Sequence, residues 1–206
     1  AAEDLKARTD LSNKMVAGRN DNSIFVSVHH NASSSPTYSG YETYYYNKDE
    51  LDPLYPPDPL QIKYSPESAR LAKLTHQSVI NSGANKEGRG IVHKSLYVTR
   101  NAQVPAILSE VDYMSSPVAE AKVKTASFQQ GIAVAIANGV DDYFNIFQLK
   151  NDKGTILKTF TSKSEALTYA GTQTNVTVFD KRAGAVIFNN TSYDYHAYHT
   201  SIELAQ

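Results

Sequence analysis

Two short stretches of the chain carry side chains able to hold a metal or move a proton. The first is Ser27-Val28-His29-His30-Asn31-Ala32, which follows the apolar, β-branched and aromatic run Ile24-Phe25-Val26. Such a run reads as a central strand of a parallel sheet, covered on both faces. A histidine at the C-terminal end of that strand stands where open α/β sheets place their ligand sites. Strand side chains alternate between faces, so His29 and His30 point opposite ways and only one can serve a given site. On spacing alone, His29 is either a metal ligand or a strand-end histidine bonded to a loop. The second stretch is Ala106-Ile107-Leu108-Ser109-Glu110, an apolar strand that runs into a carboxylate. Burying that carboxylate is costly without a partner. It is therefore either functional or one half of a structural salt bridge with Arg89 or Arg100. Two strand-terminal groups at one edge of one sheet would converge on a single site.

The remaining histidines are weaker candidates. His76 lies within an expected helix, and His93 sits in the 90–95 loop, where it could line a cleft. His196 and His199 have helical metal-ligand spacing, but they lie in a polar terminal segment. No Gly-rich phosphate loop, G-x-S-x-G or H-E-x-x-H occurs. With no cysteine in the chain, thiolate zinc sites, disulfides and Cys nucleophiles are excluded.

The elements that must position these groups follow from pattern and punctuation. Residues 5–15 read as a helix, broken by Gly18-Arg19-Asn20-Asp21-Asn22. Residues 40–46 read as a strand. The proline-rich 51–64 segment is expected to be an irregular loop. Ser65-Pro66-Glu67 has the residues of a helix start, and Gly83 those of its stop. A short strand is expected over 96–99. Ser116-Pro117 opens another helix, and Phe128, Ile132, Ile136, Val140 and Phe144 mark the buried side of a long helix after it. Strands alternating with helices predict an α/β fold: a twisted, largely parallel sheet with helices on both faces.

The 206 residues have 41% hydrophobic and 20% charged content and a formal net charge of −1. That composition excludes collagen-like and disordered chains and a highly basic nucleic-acid binder. No run is long and apolar enough for a membrane span.

Four motifs, in order, carry a resemblance to a known family: Ser27-Val28-His29-His30-Asn31-Ala32, Gly40-Tyr41-Glu42-Thr43-Tyr44-Tyr45-Tyr46, Leu96-Tyr97-Val98-Thr99-Arg100 and Val104-Pro105-Ala106-Ile107-Leu108-Ser109-Glu110. Over residues 3–145 the chain resembles the zinc-dependent N-acetylmuramoyl-L-alanine amidases of bacterial autolysins and phage lysins. The resemblance implies a zinc held by His, Glu and His, with a further Glu as catalytic base. His29 matches the second His ligand and Glu110 the catalytic Glu. Asn31 and Arg100, within the matching motifs, and His93 are the expected substrate contacts. The implied reaction is cleavage of the amide between N-acetylmuramic acid and L-alanine of peptidoglycan, at the extracellular bacterial cell wall. The competing reading is a degenerate domain that binds wall or a partner without catalysis.

Two departures from the family pattern stand out. The chain opens on Ala1-Ala2-Glu3, downstream of where the family places its first His and its Glu ligand. The expectation is thus an N-terminally incomplete domain over 1–145 that binds zinc weakly at best and does not hydrolyse muropeptides. The other departure is Asp112-Tyr113, where the family typically has Gly before an aromatic residue. Asp112 could raise the pKa of Glu110 or point away. Residues 146–206 are expected to form a small β-β-α-β-β module with a tail, for wall targeting, docking or mere extension. Seven of the 14 tyrosines fall between Tyr38 and Tyr64. They either line a glycan groove or pack a strand and its loop.

Overall fold

The computed structural model describes residues 2–49 and 52–191. Two compact units divide the chain, Ala1–Tyr143 and Phe144–Gln206. In the first, α1 (Ala2–Val16) precedes β1 (Phe25–Asn31), β2 (Tyr41–Tyr45), α2 (Pro59–Ser82), β3 (Gly88–His93), α3 (Tyr97–Arg100), β4 (Ala106–Tyr113), α4 (Pro117–Val123) and α5 (Ala126–Phe144). The four strands lie in the order β1-β4-β2-β3. β1 runs parallel to β4 and β2 parallel to β3, and the central β2/β4 contact is antiparallel. This is the expected α/β architecture with a mostly parallel sheet.

One face of that sheet carries the apolar core. Val26, Ile107 and Val111 meet Leu71 and Val79 of α2 and Ile132 and Ile136 of α5. The alternation of β4 sends Leu108 and Glu110 to the opposite face. That face holds the site.

Several expectations need correction. β1 is an edge strand of the described sheet rather than a central one, and Val28 is accordingly exposed. The helix expected from Ser65 starts at Pro59, capped by Asp58, whose carboxylate accepts from Leu60 N; Pro66 lies inside it. The 51–64 loop therefore ends at Asp58. Ser65 is buried and donates to Tyr46 O instead of capping. Residues 96–99, expected as a strand, form a single helical turn closed by Arg100 N to Leu96 O at 2.9 Å. The 90–95 loop is in its first part the strand β3, whose two glycines conceal its strand character.

The second unit contains β5 (Phe147–Asn151), β6 (Ile156–Phe160), α6 (Lys163–Ala170), β7 (Val176–Asp180) and β8 (Ala185–Asn189). They form an antiparallel sheet ordered β6-β5-β7-β8. Ser162 caps α6 through Glu165 N, and Ala166 and Ala170 pack on Phe147, Leu149, Val176 and Val178. His196 and His199 lie outside the described residues.

Candidate active site

Three charged or ionisable side chains form a row across three neighbouring strands. Glu110 on β4 is in register with His29 on β1 at one side and with Glu42 on β2 at the other. Residues in register share a face, so His29 and Glu110 stand side by side, but within β1 and β4 rather than at the strand ends where they were expected. His30 is exposed, as alternation requires.

Glu42 is the member that the sequence reading did not single out. It is buried, yet four groups hold it as a carboxylate. Tyr44 donates its hydroxyl to Oε2 at 2.6 Å, Asn31 Nδ2 to Oε2 at 3.0 Å, and Arg89 Nε to Oε1 at 3.1 Å. The Tyr113 hydroxyl is the fourth. Burial alone would raise its pKa, but the bonds from Tyr44, Tyr113 and Arg89 outweigh burial and hold it below the ordinary carboxylate range. An acid inside an apolar and aromatic strand was the available signal, the same one that marks Glu110.

Gly40 makes the Arg89 contact possible. At φ +123°, a Cβ there would sit 2.5 Å from Glu87 O and 2.7 Å from Arg89 Cγ. With no Cβ in the way, the Arg89 stem lies against the start of β2 and its head reaches Glu42, stacked over the Tyr38 ring at 3.9 Å.

Glu110 has the opposite environment. Its Oε2 is shut off from solvent and has no hydrogen-bond partner. Burial, and then the charge of Glu42, push its pKa up to about 7, with Lys94 opposing. Two carboxylates side by side do not ionise equally, and the better-bonded one takes the charge. Glu110 is thus a carboxyl poised near neutrality. Neither Arg89 nor Arg100 forms the structural salt bridge weighed for it: Arg89 pairs with Glu42, and Arg100 Nη1 donates to Ser95 O and Oγ.

Asp112 takes the second of its two alternatives. It is fully buried, paired with Lys122 Nζ at 2.5 Å and bonded by Gly40 N, Asn85 Nδ2 and Tyr113 N. It is spent on holding the end of β4, and Glu42 supplies the negative charge beside Glu110 instead.

Of the expected substrate contacts, Asn31 is within the row through its bond to Glu42. His93 ends β3 opposite Tyr45, three positions along from the Gly90 that faces Glu42. Arg100 ends α3, buried, with its guanidinium carbon 5.2 Å from the Tyr55 ring centroid and 5.6 Å from that of Tyr97. The row does not include His93 or Arg100. The clustered tyrosines divide: Tyr41, Tyr46 and Tyr64 are buried, while Tyr38 and Tyr55 are exposed.

Zinc finds an incomplete donor set among the described residues. No group of three His, Asp or Glu stands together to hold a metal, and His29 Nε2 is bonded to Ser27 Oγ at 2.9 Å. Open zinc sites need three protein ligands. The described residues alone do not make one.

A family model described as N-acetylmuramoyl-L-alanine amidase matches residues 2–142. The uncharacterized protein YqiI of Bacillus subtilis is 30% identical over 129 residues, covering 63% of this chain and 55% of that protein. The germination-specific N-acetylmuramoyl-L-alanine amidase of the same organism is 26% identical over 143 residues, 69% of this chain and 52% of that one. This chain thus spans about half the length of either relative. Among solved structures, the catalytic domain of CwlV from Bacillus (Paenibacillus) polymyxa var. colistinus superposes with a TM-score of 0.53 at 29% identity, covering 68% of this chain and 64% of that one. An N-acetylmuramoyl-L-alanine amidase from Clostridium difficile 630 gives 0.54 at 28%, with the same coverage of 68% and 64%.

Proposed function

The chain belongs to the N-acetylmuramoyl-L-alanine amidase family, and we propose that it supplies the proton-transfer half of a peptidoglycan hydrolase acting at the bacterial cell wall. The bond cut is the amide between the muramoyl lactyl group and L-alanine of the stem peptide. One observation carries this reading: Glu110, alone of the row, combines a solvent-shielded, unbonded oxygen with a pKa near 7. A base of that strength takes a proton from water at neutral pH and can return it to the departing amine. Glu42, fixed as a carboxylate, keeps the proton affinity of Glu110 high while the proton is in transit. A domain kept only to bind wall has no use for a strained pair of carboxylates, which favours the enzymatic reading.

His29 is the donor that the described residues offer to the zinc implied by the resemblance, and zinc dependence is part of the proposal. We assign catalysis to residues 1–145 and an accessory role to residues 146–206.

The test is release of new L-alanine amino termini from purified muropeptides by the protein carrying this chain, with and without added zinc. Glu110→Gln is expected to lower the rate by about 10²–10⁴-fold, the range of general acid–base catalysis. A Glu110→Gln protein that cleaves at the unaltered rate overturns the role given to Glu110.

A further inference from the structure

The smaller unit carries a groove that the proton-transfer chemistry does not use. It holds about 430 Å³ and is lined by Phe160, Ser164, Glu165, Thr168, Tyr169 and Thr172. That volume lies in the range of small-ligand sites, about 300–1,000 Å³. Ser164, Thr168 and Thr172 recur every four residues, so they stand one above another along α6 and the turn after it. The other side of the helix, through Ala166 and Ala170, is packed on the sheet.

Two kinds of surface meet in the groove. One is aromatic. Phe160 of β6 packs against the small core, and its ring centroid lies 5.5 Å from that of Tyr169 at an angle of 50°. Lys158 Nζ, 4.3 Å from the Tyr169 centroid and 5.1 Å from that of Phe160, ties the two rings together. Tyr169 is nevertheless 38% exposed, so part of its ring is open to a ligand. The other surface is polar. Ser164 Oγ is bonded to Ser162 Oγ at 3.0 Å, and Thr172 Oγ1 donates to Tyr169 O at 2.7 Å. The Thr168 hydroxyl and the Glu165 carboxylate have no protein partner among the described residues. A pyranose suits this pairing: its C–H face packs on a ring, and its hydroxyls donate to the oxygens at the rim. An apolar peptide side chain would cover the rings but take water from Glu165 without replacing its hydrogen bonds, which is costly.

We infer that this groove is a glycan subsite that takes a short stretch of the N-acetylated hexosamine chain of the wall. Tyr169 and Phe160 form its platform, and Thr168 and Glu165 bond the sugar hydroxyls. That the sugar is wall glycan rests on the amidase reading; that the groove takes a sugar rests on its lining.

Titration of the isotope-labelled full chain with a stem-free tetrasaccharide of alternating N-acetylglucosamine and N-acetylmuramic acid tests it by amide-resolved spectroscopy. Saturable shifts are expected at residues 160–172. Tyr169→Leu keeps apolar bulk but not the flat ring, and should weaken binding up to about tenfold. Thr168→Val keeps the shape and loses the hydroxyl, and should weaken it severalfold. Undisturbed signals of Leu149 and Val178 show that a variant is folded; if Tyr169→Leu disturbs them, Thr168→Val decides. No saturable shift at 160–172 overturns the subsite, and so does unaltered affinity in the folded variants. Shifts there with free stem peptide and none with the tetrasaccharide would make the occupant a peptide and overturn the glycan. Equal binding of a maltose-type tetrasaccharide overturns its assignment to the wall. Tetrasaccharide binding by a protein that leaves muropeptides uncut would keep the groove and overturn the amidase reading; hydrolysis without such binding would do the reverse.

Discussion

At the scale of single residues, the site is a pair of carboxylates in register, driven apart by unequal bonding. Glu42 receives Tyr44, Asn31, Tyr113 and Arg89; Glu110 has an oxygen that receives nothing. The consequence for stability has a definite sign. In the unfolded chain Glu110 titrates near 4.5, and in the fold near 7, so between those values the native state binds more protons than the unfolded one. Its contribution is therefore lost as pH rises from about 4.5 through 7. Glu110→Gln, which is neutral throughout, should raise the melting temperature relative to the unaltered protein at pH 8, with the gap closing at pH 4.5. A gap independent of pH would mean that the Glu110 carboxyl is not strained by its surroundings. Glu42→Gln removes the neighbouring charge while keeping an amide able to accept from Tyr44. The acid limb of the pH–rate profile should then move to lower pH, because Glu110 loses the repulsion that holds its proton. An unmoved limb would separate Glu42 from the tuning of Glu110.

At the scale of elements, the close pairing of α2 and α5 buries the helix-facing side of the sheet. Gly139 sits where α5 meets the α2 backbone, and a Cβ there would lie 2.5 Å from Thr75 Cα and 3.0 Å from Thr75 N. Backbone cannot step aside, so Gly139→Ala should destabilise by about 1–3 kcal/mol, the usual cost of overpacking, despite the better helix propensity of alanine. Gly131, on the same helix, would place its Cβ 3.5 Å from Ala84 Cβ, an ordinary contact. Gly131→Ala should therefore stabilise by up to about 1 kcal/mol through propensity, and equal signs for the two in thermal melts would refute this account of the helix pair. Elements of this kind were legible where local signals agreed. The buried stripe of α5 is one, although a strict four-residue step drifts around the helix, and by its end Tyr143 is buried and Phe144 exposed. Where two local signals competed, tertiary contacts chose. Asp58-Pro59 and Ser65-Pro66 both have the residues of a helix start, and Gln61, bonding Ala102 O and Val104 O from between them, ties the earlier turn into the fold. In the site, His29 and Glu110 were legible because each follows closely on an apolar run of its strand. Their register comes from β1 pairing parallel with β4, and the place of Glu42 beside them from β2 pairing antiparallel with β4, neither of which a local pattern encodes.

At the scale of the whole molecule, the chain carries two separate apolar cores. The larger unit gathers its core around α2, α5 and β4, and the smaller one around Phe147, Leu149, Ala166, Ala170, Val176 and Val178. Charge does not distinguish them as partners for polyanions: residues 146–206 hold 6 basic and 5 acidic residues, and residues 1–145 hold 14 and 16. Among the described residues no helix is long and apolar enough to cross a membrane. What distinguishes the units is the size of what each buries. A module of about 45 residues has a small apolar reserve, and cores of that size rarely supply more than about 3–5 kcal/mol. Leu149, 1% exposed, sits in the middle of the smaller core. Leu149→Ala removes a buried isobutyl group at a cost of about 2–5 kcal/mol, comparable to everything that unit has. The variant should therefore lose the native signals of residues 147–189 in an amide-resolved spectrum at 25 °C, while those of β1, β2 and β4 persist. Collapse of both sets of signals together would show that the two cores fold as one cooperative unit, and that the second is a structural part of the first rather than an accessory to it.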